Sequence, residues 1–258
     1  MSAISVHRVV TGPNEAPVVV LSNSLGSTMA MWDANLAALE ERFRVVRYDT
    51  RGHGGSPVPD GPYDIDDLVD DVVALLDDLG VARAHLVGLS LGGMTGMRLA
   101  AREPDRVDRL VVLCAGAHLE PAAAWRDRAD TVRTDGTAAV AEAVVARWFT
   151  PGLLASDPGL KASSEAMVGS TPAEGYASCC EVIATMDLRD DLASITAPTL
   201  AIAGADDPAT PPPHLAEIAE SVRDGRLVVV PDAAHLANAQ QPGTITPAII
   251  EHLTQESA

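Results

Sequence analysis

A serine between glycines, two adjacent aspartates and a late histidine are the residues of this chain that suit covalent acyl chemistry. Ser90 lies in Gly88-Leu89-Ser90-Leu91-Gly92-Gly93, a G-x-S-x-G sequence that carries meaning only where a strand turns sharply into a helix. A serine hydroxyl is a weak nucleophile near neutral pH. It needs a base within hydrogen-bond reach, and a carboxylate that holds the base in the right tautomer. In the order serine, acid, base, the late chain offers Asp206 and Asp207 within Gly204-Ala205-Asp206-Asp207-Pro208-Ala209-Thr210-Pro211. It then offers His235 at the end of Pro231-Asp232-Ala233-Ala234-His235. His235 is the expected base, because it is the histidine that follows a late strand at the same sheet edge. His7, His85, His214 and His252 fall on strands, helix starts or the last helix, and His118 is a candidate for the pocket wall. The amide of Leu91, at the helix N-terminus, is expected to face a developing oxyanion.

These residues need a scaffold, and the hydrophobic pattern supplies one. Short β-branched runs alternate with helical periodicity from about residue 17 to residue 116, the signature of a mostly parallel sheet with helices on both faces. Strands are predicted at 18–21, 44–48, 84–87, 109–113, 198–203 and 226–230, and helices at 30–42, 64–79 and 91–102. Within 64–79, Ile65, Leu68, Val69, Val72, Leu75, Leu76 and Leu79 recur at spacings of three and four, which makes one apolar face. Asp66, Asp67, Asp70, Asp71, Asp77 and Asp78 are then expected to form its solvated face, not a metal site. From residue 118 to about 191 there is no strand pattern, only Ala-rich helical stretches such as 137–148, broken at Pro151, Pro158 and Pro172. The expected layout is an α/β core, 1–117 and 192–258, with a helical cap, 118–191, over the carboxyl ends of the strands.

Composition narrows the partners. The chain has 258 residues, 47% of them hydrophobic, enough for one domain with a sizeable core. Its net charge of −18 repels polyanions, so neither nucleic acid nor an anionic membrane surface is an expected partner. Cys114, Cys179 and Cys180 have no metal-ligand spacing, and the N-terminus has no signal-peptide pattern, so a reducing cytoplasm is expected. No H-E-x-x-H, P-loop or G-x-G-x-x-G sequence occurs, and no metal or organic cofactor is expected.

Further motifs give the chain a family likeness. Ser22-Asn23-Ser24-Leu25-Gly26, Arg47-Tyr48-Asp49-Thr50-Arg51-Gly52-His53-Gly54 and the Ser90 motif resemble the α/β-hydrolase superfamily. Arg147-Trp148-Phe149-Thr150-Pro151, Met186-Asp187-Leu188-Arg189 and Ala234-His235-Leu236-Ala237-Asn238 extend the likeness to the 3-oxoadipate enol-lactonases. Asn23-Ser24 in place of the general His-Gly is the more specific clue. The resemblance implies an α/β-hydrolase fold with the cap inserted after the sixth strand. It also implies a catalytic triad of Ser90, Asp207 and His235, and an oxyanion hole made by the Leu25 and Leu91 amides. A small lactone or ester is the implied ligand, with Asn23, Ser24, Arg147 and Trp148 as substrate-binding candidates. The activity implied is opening of 3-oxoadipate enol-lactone in the catabolism of aromatic compounds. Related carboxylesterases, carbon–carbon bond hydrolases and cofactor-free perhydrolases share the triad, and a receptor-like lactone-binding protein shares the fold. The segment from Asp49 to Gly54 is expected to be a tight turn braced by local hydrogen bonds, not a second catalytic cluster.

Overall fold

The computed structural model describes residues 2–255. One seven-stranded sheet runs through them: β1 (Arg8–Thr11), β2 (Val18–Ser22), β3 (Arg44–Tyr48), β4 (Ala84–Leu89), β5 (Val107–Leu113), β6 (Thr199–Gly204) and β7 (Gly225–Val230). Their spatial order is β1-β3-β2-β4-β5-β6-β7; β1 is antiparallel to β3 and every other pair is parallel. β4 and β6 are buried at every position, which is why they read as continuous apolar runs and do not alternate. The chain winds one way from β2 to β3 and the other way from β4 onward. The carboxyl ends of β2 and β4 therefore flank the switch point where open α/β sheets form their crevice.

In the core, α1 (Asp33–Glu40), α2 (Ile65–Asp78) and α3 (Leu91–Arg102) precede the cap. Between β5 and β6 lie five helices: α4 (Ala122–Asp135), α5 (Ala138–Trp148), α6 (Pro151–Ser156), α7 (Pro158–Gly169) and α8 (Ala173–Thr185). The core then resumes with α9 (Pro212–Ser221), α10 (Ala237–Gln240) and α11 (Pro242–Thr254). Among the described residues, no helix is long and apolar enough to cross a membrane.

Two details differ from expectation. The helical insertion follows the fifth strand, not the sixth. Ahead of β1 the chain spends amides on side chains and not on another ladder: Ile4 N–H donates to Asp71 Oδ1 (2.8 Å) and His7 N–H to Ser56 Oγ (2.9 Å). The aspartates of α2 are also less solvated than their spacing suggests. Asp67 and Asp71 are buried: Asp67 completes a capping box with Asp64, and Asp71 receives a two-pronged grip from the fully buried Arg51, both contacts at 2.7 Å. Asp66 and Asp70 pair with Arg98 and Arg102 of α3. The acidic face thus serves as a set of joints to neighbouring elements.

Candidate active site

Ser90 joins β4 to α3 with φ 55° and ψ −118°, a left-handed conformation that costs a non-glycine residue on the order of 1–3 kcal/mol. The surroundings hold it there. Its N–H donates to Leu113 O (2.9 Å), and its carbonyl accepts the first helical bond, from Met94 N–H (2.9 Å). A Cβ on Gly88 would stand 2.2 Å from Gly92 O, and one on Gly92 would stand 2.3 Å from Ser22 O. The glycines of the motif are therefore what let β2, β4 and α3 meet at one point.

The two expected oxyanion donors flank this turn. Leu91 lies ahead of the first intrahelical bond, and Leu25 lies in the loop after β2. Neither amide has an acceptor among the described residues. Gly92 N–H donates to Asn23 O (2.9 Å), tying that loop to the helix start. Asn23 itself is fully buried behind the pocket wall: its Nδ2 donates to Tyr48 O (2.7 Å), and its Oδ1 accepts from Trp32 Nε1 (3.0 Å). It is a brace for the loop and not a substrate-binding residue, because both ends of its amide are already occupied.

The Asp49 to Gly54 segment reaches further than a self-braced turn. Asp49 Oδ1 accepts Met29 N–H (2.8 Å), and His53 Nε2 accepts Gly26 N–H (3.0 Å). His53 Nδ1 donates to Arg51 O (3.1 Å), and burial holds its pKa below the ordinary histidine value, so the neutral tautomer is favoured. One neutral imidazole thus supports the residue next to Leu25.

Opposite Ser90, the loops after β6 and β7 converge. His235 Nδ1 lies 2.8 Å from Asp207 Oδ2, and a carboxylate only accepts, so Nδ1 carries the proton and Nε2 is left as a proton acceptor. Asp207 is buried and takes three further bonds. Thr210 Oγ1 donates to Oδ2 (2.7 Å), and the amides of Ala209 (2.8 Å) and Thr210 (3.2 Å) donate to Oδ1. Burial pushes its pKa up, but the interaction with His235 and these donors outweigh it and leave the pKa below the usual carboxylate range. Asp206 is exposed, and among the described residues it bonds through its amide, to Ala233 O (2.9 Å).

The cap closes the site from above. His235 N–H donates to Arg147 O (3.2 Å) and Leu236 N–H to Trp148 O (2.8 Å). Gln240 bonds Thr150 in both directions, Nε2 to Thr150 Oγ1 (2.6 Å) and Oε1 from Thr150 N–H (3.2 Å). The Arg147 to Thr150 segment is therefore a clasp on the loop that carries His235. No sequence signal marks the backbone half of that clasp, since every residue has the same carbonyl.

Between clasp and sheet lies a cavity of about 210 Å³ lined by Ser24, Leu25, Ser90 and His235 below and by Trp125, Arg128, Arg147, Trp148 and Tyr176 above. It is smaller than the roughly 300–1,000 Å³ of drug-sized sites, so it suits a small ligand. Arg128 and Trp125, unforeseen in the sequence, come from one face of α4 three residues apart, a spacing that marks neighbours once the helix is known. Burial first, and the nearby Arg128 charge second, depress the Arg147 pKa. His118 is not in the wall; its Nδ1 donates to Met186 O (3.1 Å) at the base of the cap. Among the described residues, no cluster of three His, Cys, Asp or Glu side chains is placed to hold a metal ion.

A serine on a strained strand-to-helix turn at the switch point of such a sheet is the architecture of an α/β hydrolase. Residues 17–242 match the alpha/beta hydrolase fold family, and the chain belongs to it. It is 40% identical over 248 residues to 3-oxoadipate enol-lactonase 2 of Acinetobacter baylyi, covering 95% of this chain and 92% of that one. The crystal structure of an enol-lactonase from Burkholderia xenovorans LB400 superposes with a TM-score of 0.95 at 41% identity, covering 97% and 96% of the two chains. A malate-bound thermophilic esterase from Thermogutta terrifontis gives 0.91 at 30% identity, covering 96% and 92%. The protein is a hydrolase similar to enol-lactonases.

Proposed function

We propose that this protein is a serine hydrolase that opens 3-oxoadipate enol-lactone to 3-oxoadipate in the beta-ketoadipate catabolism of aromatic compounds. The observation that carries the mechanism is the 2.8 Å contact from His235 Nδ1 to the buried Asp207 Oδ2, behind a cavity wall that His235 shares with Ser90. His235 Nε2 takes the Ser90 proton as Oγ attacks the lactone carbonyl. The Leu25 and Leu91 amides hold the oxyanion. Collapse breaks the ring ester bond as His235 passes the proton to the departing ring oxygen, leaving an acyl-enzyme with an enol, which tautomerises to the ketone and so disfavours reclosure. Water, deprotonated by His235, then attacks the acyl carbon, and His235 returns that proton to Ser90 Oγ as the acyl bond breaks and the second carboxylate is released.

The substrate assignment draws on the similarity to enol-lactonases and on the size of the cavity. Ser24, Arg147 and Trp148 stand where the lactone would lie, with Arg147 toward its carboxylate. We divide the chain into a core, 1–117 and 192–258, and a cap, 118–191, and infer a reducing, cytoplasmic setting from three buried free thiols.

The test is a steady-state assay on the enol-lactone beside a panel of uncharged esters. Ser90→Ala should remove nearly all turnover while circular dichroism stays native. A folded variant with near-wild-type rate would overturn the serine mechanism. Higher kcat/KM on uncharged esters than on the enol-lactone would instead mark a general carboxylesterase.

A further inference from the structure

We propose that Arg128 joins Arg147 to form a twin-guanidinium seat for a carboxylate under the cap, so that the enzyme selects carboxylate-bearing esters and lactones over uncharged ones of the same size. The inference rests on the hydrolase reading of the cavity and adds to it the residue that sets substrate charge. Both arginines line the cavity that holds Ser90 and His235, and both also line the open groove between α4 and α5. Arg128 is oriented there, with its guanidinium 4.6 Å over the Trp125 ring.

Among the described residues neither guanidinium is matched to a carboxylate of its own: Arg128 is hydrogen-bonded to the neutral phenol of Tyr176, and Arg147 feels Asp207 only through space. The chain carries 36 acidic residues against 18 Lys and Arg, and arginines elsewhere use them: Arg98 and Arg133 each bridge two carboxylates. Among the described residues neither Arg128 nor Arg147 forms an ion pair with a carboxylate. Asp127 lines the groove beside both arginines, yet among the described residues it forms an ion pair with neither; the acids nearer the cavity are otherwise engaged. Asp207 is held by His235 and Thr210; Glu120, on the rim, is 80% exposed and lies 3.5 Å from His118. Two guanidiniums that repel one another in a partly desolvated wall are costly, and the Arg147 pKa falls because of burial and then Arg128. A ligand carboxylate removes that cost, and the planar fork of each guanidinium fits its two oxygens.

Two readouts test this. The first is kcat/KM for monomethyl adipate, which carries a carboxylate, against dimethyl adipate, which does not. Arg128→Gln should lower the ratio of the two values by roughly 10- to 100-fold, the scale of a charge-assisted hydrogen bond, and Arg128→Lys should recover part of it. The second is calorimetric binding of 5-oxohexanoate and 5-oxohexanamide to Ser90→Ala protein. There Arg128→Gln should weaken the carboxylate by a similar factor and leave the amide where it was. Because this binding needs no turnover, it reads the seat even if the serine mechanism fails. An unchanged ratio, or equal weakening of carboxylate and amide, overturns the proposal.

Discussion

Asp206 and Asp207 are neighbours in sequence with opposite surroundings. The turn that follows β6 points Asp207 inward, where four hydrogen bonds fix its carboxylate against His235, and leaves Asp206 in solvent. Both are short carboxylates on the same loop, so their direction from the backbone decides their roles. In Asp207→Asn one carboxylate oxygen becomes an NH2 donor. If that donor faces His235 Nδ1, it cannot accept the Nδ1 proton, and the imidazole is driven to the tautomer that cannot deprotonate Ser90. The expected loss in kcat is on the order of 10⁴, by the size of the same change in other triads. Asp206→Asn removes only an exposed charge and should stay within a few-fold of wild type. Steady-state kinetics on the enol-lactone checks both, and equal losses would show that Asp207 is not the acid.

At the scale of elements, the cap is positioned by backbone contact. Gly175 of α8 meets Gly52 of the loop after β3 so closely that a Cβ on Gly175 would lie 2.2 Å from Gly52 O. The adjacent Tyr176 forms part of the cavity wall. Gly175→Ala must push α8 away from the core, and backbone cannot yield as a flexible side chain can. We expect it to cost roughly 1–3 kcal/mol and to lower kcat/KM, read as a fall in Tm together with weaker turnover. Gly152→Ala on α6, with open space around the new methyl, is the control; equal effects from both would show that the close approach does not set the cap. Contacts of this kind explain what the sequence could and could not reveal. β3 and α3 were legible to the residue, because their periodicity and their bounding turns are local. β1 was not: Arg-Val-Val-Thr is four residues long, half-buried, and recognisable only by its pairing with β3. The order of serine, acid and base followed from the alternation of strands and loops. Which polar residues face the cavity did not. Asn23 is consumed by Tyr48 and Trp32, and Arg128 enters from α4, which packs on α8 through contacts that no local pattern announces.

For the whole molecule, acid stability is set in part by histidines buried in neutral form. His53, His85 and His252 all have pKa values held down, by burial first in each case. At His252 burial brings the pKa down to about 4. This side chain, 4% exposed on α11, donates Nε2–H to Pro198 O (3.1 Å) just ahead of β6, and the charges of Arg109 and Arg226 also oppose its protonation. The unfolded chain binds a proton at this histidine near pH 6.5, whereas the folded chain resists until about pH 4. The contribution is therefore fully present above pH 6.5 and is lost as pH falls toward 4. By pH 5 the loss is about 2 kcal/mol, or roughly 4–8 °C in Tm for a chain of this size. His252→Gln cannot titrate and keeps a donor for Pro198 O, so its Tm should fall by that much less than wild type between pH 7 and pH 5. The net charge of −18 relaxes on acidification in both proteins alike, so self-repulsion cancels in the comparison. Parallel Tm curves for the two proteins would show that the link between α11 and the start of β6 is not where acid stability is lost.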